Sequence, residues 1–260
     1  MSKTGELLFL RSKPQFVSDL QMRKYCSGNA AANNKNGFIE QGCYVPNSSN
    51  SSRGNIYIRE MPANLYDQEI VTAAYEMLHT VFFKIGIQNS SLVQAVEANY
   101  ANLHNNVLTS QVNNFAITEP GYRDLELFSL LGTEFSTVTP TLANYYAPYF
   151  TNRSLTVNSY SSVTSTFQNE QNQLAQLKVN IAQEDSSANK AYADSLAWAN
   201  VGNAYEDSYN YNIYKNYIAQ ENASISQYNQ LSVEYNTLVT QYNGTQPVST
   251  LSQVQTQTIK

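Results

Sequence analysis

The chain has 260 residues and a net charge of -5, with 42% hydrophobic but only 13% charged residues. One or two globular domains follow, and global disorder is excluded. The 15 Lys and Arg are scattered, which argues against a nucleic-acid surface, and no apolar run approaches the ~20 residues of a membrane span. Ordinary soluble proteins carry about 25% charged residues. Here Asn, Gln, Ser, Thr and 20 Tyr take their place, a surface that suits an exported protein.

Residues 1–66 read as an irregular N-terminal segment with short extended pieces. Gly5 to Leu10 is apolar but too short for a signal peptide and lacks a small-residue cleavage site. Export would therefore need a targeting segment outside this sequence or an unconventional route. Cys26 and Cys43 lie seventeen apart among Gly, Asn and Ser. They are half of a zinc site or, with no close cysteine pairs to complete one, a disulfide worth about 3 kcal/mol in the chain-entropy model. Asn47 to Gly54 is polar and predicts an exposed loop, whereas Asn55-Ile56-Tyr57-Ile58-Arg59 predicts a strand.

A helical period begins near Asp67. Ile70, Ala73, Ala74, Met77, Leu78, Val81, Phe82 and Ile85 recur at three- and four-residue spacings, and Gly86 is the stop. This helix carries Tyr75-Glu76-Met77-Leu78-His79, one residue away from H-E-x-x-H. In that motif two imidazoles one turn apart bind Zn²⁺, and the glutamate polarises the metal-bound water. Further helices are predicted over 90–108 and from Tyr122 to Phe135, and Leu142 to Phe150 forms an aromatic segment under the site. Domain limits fall at 67–154 for this helical region, 155–244 for a helical hairpin and 245–260 for a loose polar tail. In the hairpin, helices over 157–200 and 205–243 pair antiparallel, with Tyr228, Leu231, Tyr235, Leu238 and Tyr242 at heptad positions and Asn after each Tyr.

Read in order, these segments resemble a family of extracytoplasmic bacterial neutral zinc metallopeptidases, common in Actinobacteria and in candidate-phylum bacteria such as Saccharibacteria. The resemblance rests on Gln41-Gly42-Cys43-Tyr44, Asn55 to Ile58, Val71-Thr72-Ala73-Ala74-Tyr75-Glu76-Met77-Leu78-His79 and Leu130-Leu131-Gly132-Thr133-Glu134-Phe135. Tyr145 to Arg153 and the C-terminal Tyr-Asn repeats extend it over nearly the whole chain. It implies a mainly α, zincin-like helical domain with a strand-containing, disulfide-stapled N-terminal segment, followed by the hairpin. It also implies a membrane anchor preceding the segment seen here, Glu76 as general base, and His79 and Glu134 as metal ligands. Tyr75 stands where the family has its first His ligand. Phe128, in Glu126-Leu127-Phe128-Ser129, stands where the family often carries a His in N-E-L-H-S, so both departures remove nitrogen donors.

Zinc catalysis needs three protein ligands and a water. Tyr75 could serve only as a phenolate, and its pKa near 10 would have to fall far. Without metal, His79 would pair with Glu134 or Glu76, and a half-buried Glu76 would need the Tyr75 hydroxyl or His79. Two functional readings result. In one, an exported surface protein with no cofactor uses a degenerate peptidase domain for structural or binding roles, with a second copy or another surface protein as partner. In the other, Tyr75, His79 and Glu134 hold zinc, Glu76 is the base and the substrate is a peptide. The only other histidine, His104, lies on a different predicted helix.

Overall fold

Alternation along Asn55–Arg59 gives a strand two different faces, and the fold is built on both. The computed structural model describes residues 1–26, 39–48, 50–118, 121–244 and 251–259. It is mainly α and divides into two compact units, Met1–Thr164 with Gln241–Gln246, and Ser165–Thr240 with Pro247–Lys260.

The first unit begins with helix α1 (Lys3–Arg11), strand β1 (Gln15–Val17) and helix α2 (Asp19–Tyr25), then strands β2 (Gly42–Asn47) and β3 (Asn50–Arg59). β3 is central, parallel to β1 and antiparallel to β2. Ile56 and Ile58, with Tyr44 of β2, bury one face against Ala73 and Phe83. Tyr57 and Cys43 point to the other face, where Val17, Met22 and Ile39 enclose the Cys26–Cys43 disulfide. The segment read from sequence as irregular is thus two helices and a sheet, and of the predicted loop Asn47 ends β2 while Asn50 to Gly54 belong to β3. Residues 27–38 lie outside the described part. Arg59 is almost fully buried, held by Asp19 and donating to the carbonyls of Gln241 and Tyr242 at 2.8 and 2.5 Å.

Helix α3 (Tyr66–Ile85) crosses this sheet. Its apolar residues Met77, Leu78, Val81 and Phe82 form the main core with Leu92 and Val96 of α4 (Ser90–Leu103), Leu108 and Val112 of α5 (Asn106–Thr118), and Leu127, Phe128 and Leu131 of α6 (Arg123–Thr133). The predicted helix over 90–108 stops early because His104 takes a left-handed conformation, φ 46°, after which α5 starts afresh. Helix α7 (Pro140–Tyr146) places Tyr146 beneath α6, its hydroxyl donating to the Phe128 carbonyl at 2.7 Å. Arg153 donates to the carbonyls of Phe135 and Ser136 just past the C-terminal end of α6. This is where a cation offsets the helix dipole.

The second unit is an antiparallel pair formed by parts of α8 (Arg153–Asn200) and α9 (Ala204–Asn243). Pairing runs from Ser195 with Asp207 through Glu184 with Ser224 to Gln171 with Tyr235. The buried positions of α9, Tyr214, Ile218, Glu221, Ile225, Tyr228 and Ser232, alternate by four and three as a coiled-coil seam requires. Leu238 is buried, as its heptad position predicts, while Leu231 is only half-buried. Of the predicted loose tail, 251–259 has no helix or strand but is hydrogen-bonded to α9.

Two measurements follow from this packing. Replacing Cys26 and Cys43 with serine removes about 3 kcal/mol from the first unit in a denaturant titration. Burial raises the Glu221 carboxyl, with Asp185 and Glu184 adding to the shift and a hydrogen bond from Gln257 opposing it. A raised carboxyl favours the fold when protonated, and that advantage is lost as pH rises above its ordinary value. Glu221→Gln should therefore gain stability relative to the parent as pH rises above the ordinary carboxyl value of 4.5. A variant that loses ground as pH rises would contradict the assignment.

Candidate functional site

The chemistry-bearing face of α3 is set by its helical period. Tyr75 and His79 lie one turn apart, with ring centroids 4.8 Å apart in an edge contact. Glu76, three residues before His79, places Oε2 3.1 Å from His79 Nδ1. Glu76 and His79 are both buried. The Glu76 carboxylate also takes the backbone N–H of Tyr44. Strand β2 can come this close because position 42 is glycine: a Cβ there would lie 2.4 Å from Thr72 Cγ2 and 2.9 Å from Glu76 Oε1.

The facing wall is α6. Glu126, buried beside Leu130, turns its carboxylate to α3, where Oε2 accepts a short hydrogen bond from the Tyr75 hydroxyl. Its Oε1 lies 3.4 Å from His79 Nε2, an ion-pair distance that is long for a hydrogen bond. Gly132 lets the helices approach, since a Cβ would sit 2.4 Å from Leu78 Cδ1. A cleft of about 350 Å³ opens on Tyr75, Glu76, Glu126, Glu134, Gln41 and Tyr242.

The structure therefore brings Tyr75, Glu76 and His79 together, as their spacing predicts, but the fourth member is Glu126. Glu134 caps the end of α6 and lines the same cleft, yet its carboxyl is hydrogen-bonded to Tyr160 rather than to His79. Phe128 is no vacancy among ligands. It is fully buried between Phe82 and Tyr146, with centroids at 5.6 and 4.8 Å, on the opposite side of α6 from Glu126. The stripe Leu127, Phe128 and Leu131 alone would put Glu126 on the outer face of α6, and its burial follows from the enclosure of the helix on all sides, every residue from Leu125 to Thr133 being buried. His104 is exposed at the end of α4 and contributes nothing here.

Protonation follows from burial and charge. Burial, then Glu126, hold the Tyr75 hydroxyl well above its ordinary pKa of 10, so it keeps its proton. Burial alone would lower His79, but Glu126 and Glu76 overcome it and push the imidazole up to about 10. Burial raises Glu76 against the pull of His79. Burial also lifts Glu134, to about 7, and Tyr242 is pushed up to about 12. The result is an imidazolium between two carboxyl groups, closed on one side by a phenol.

A zinc centre needs donors with free lone pairs. Tyr75 spends its hydroxyl proton on Glu126, and the His79 imidazole lies between Glu76 and Glu126. The other close group of metal-type side chains among the described residues, Cys26, Glu40 and Cys43, has both sulfurs in the disulfide. The arrangement thus offers one imidazole where the H-E-x-x-H motif supplies two.

His79 gives the site a pH signature. A histidine with a raised folded pKa adds stability in full below its ordinary 6.5 and loses it as pH climbs towards about 10. His79→Gln should cost about 3 kcal/mol near neutrality, because it strands two buried carboxyls. That gap should narrow as pH rises towards about 10 in paired denaturation curves, and a constant gap would refute the ion pair. Compared with models of protein families, with curated proteins and with solved structures, the chain matches none.

Proposed function

We propose that this is an exported protein in which a scaffold of metallopeptidase type serves structural or binding work without zinc chemistry. One observation carries the reading. The Tyr75 hydroxyl, at the position where the motif needs its first imidazole, bonds Glu126 and so joins the buried group formed with Glu76 and His79. In that group each buried ionisable side chain has a partner of this chain's own beside it. Among the described residues no helix is long and apolar enough to cross a membrane, and the buried disulfide suggests an oxidising, extracytoplasmic environment. In this reading the protein acts at the cell surface.

A binding role draws support from the hairpin turn, where Trp198, Val201 and Tyr205 are exposed. Aromatic side chains supply contact area at low entropic cost. The partner in this reading is a second copy or another surface protein. A second reading, an active zinc peptidase with Glu76 as base, draws on His79 Nε2, which is buried without an aligned hydrogen bond.

Metal analysis separates the two. The parent should purify with far less than one equivalent of zinc, and Tyr75→His should raise that content. Glu126→Ala on the Tyr75→His background should remove it again, whereas Glu134→Ala should not. Stoichiometric zinc in the parent that is lost with His79→Ala, or peptide turnover abolished by Glu76→Gln, would overturn the proposal.

A further inference from the structure

Three asparagines on α9 hold the C-terminal segment by its main chain alone. Asn236 Oδ1 accepts the Leu251 N–H at 3.1 Å, and its amide donates to the Leu251 carbonyl at 3.2 Å. Asn229 repeats the pair on Val254 at 2.7 and 2.8 Å, and Asn222 on Gln257 at 2.7 and 3.0 Å. The rungs advance by seven residues along the helix and retreat by three along the segment. Seven helical residues rise about 10.5 Å and three extended residues span about 10 Å, so the two repeats stay in phase. One heptad before Asn222 the helix carries Lys215 in place of an asparagine.

The remainder of the segment contributes little. From Ser252 to Ile259 every residue is exposed, and Leu251 is only half-buried. Recognition therefore rests on the six main-chain bonds, with Gln257 adding a side-chain hydrogen bond to the buried Glu221. A site that reads main chain at a three-residue period does not depend on which molecule supplies that chain. The chain itself supplies a segment that fits.

We propose that the asparagine ladder of α9 is a receptor for extended peptide, and that its occupant in trans is the segment Leu251–Ile259 of a second copy. Exchange of an identical segment keeps every rung, so it costs no contacts and becomes favourable as local concentration rises. Each copy has one ladder and one segment, so reciprocal exchange closes a dimer and one-way exchange extends a chain. This names the partner within the binding reading above but needs nothing from the buried site. Zinc in the cleft would leave it standing, and its failure would leave the metal-free reading standing.

The probe is a fluorescent peptide of sequence Leu251–Lys260 added to the full chain and to an Asn222→Ala, Asn229→Ala, Asn236→Ala variant whose helicity is verified by circular dichroism. Saturable binding to the parent is expected, weakened about tenfold by each rung removed. Sedimentation velocity of the same two proteins should show reversible association rising with concentration in the parent and lost in the triple variant. Hydrogen exchange on the parent guards against a misfolded variant, and should slow the Leu251, Val254 and Gln257 amides relative to their neighbours. Absent peptide binding, equal binding by the triple variant, unchanged association, or a parent that stays monomeric throughout each overturns the proposal.

Discussion

Two acidic side chains, Glu76 and Glu126, meet in the interior of the first unit with a single basic group, His79, between them. Leaving either carboxylate without that imidazolium would cost several kcal/mol, because a buried charge loses water and gains nothing in return. The pairing therefore fixes how α3 and α6 face one another. Gly132 and Gly42 belong to the same constraint: each removes a side chain where a neighbouring element must come within contact of α3. Tyr75 then seals the arrangement with a proton it does not release.

Helix α3 was legible because its apolar period and its charged pentapeptide share one stretch, so residues were assigned to faces without tertiary information. The place of Glu126 in the cleft was not. The helical phase of Leu127, Phe128 and Leu131 puts Glu126 on the outer face of α6, and only the packing of α3, α4 and α5 around that helix encloses it. The N-terminal segment was obscured for another reason. Short elements such as β1 and α2 owe their existence to the sheet and the disulfide they pack against, and local propensity reports little of that.

The Tyr-Asn repeat of α9 also divides cleanly in three dimensions. Tyr228 is buried in the helix seam and Tyr235 stacks edge-on against Phe167, while the Asn after each reaches the C-terminal segment. A dipeptide that reads in sequence as one feature thus performs two tasks on adjacent strips of the helix. Polar amides beside an aromatic seam weaken no core here, because every rung satisfies both hydrogen-bonding groups of its asparagine.

The commensurate rungs restrict how this part of the chain can change in length. Deleting one residue from α9 between Asn222 and Asn236 rotates every later amide by about 100° off its face. Deleting one from the segment puts every later main-chain group one residue out of step with the three-residue spacing of the rungs. Insertions or deletions are tolerated in linked quanta, a heptad of helix with a triplet of segment. The gene encoding this hairpin is expected to grow or shrink in such paired steps.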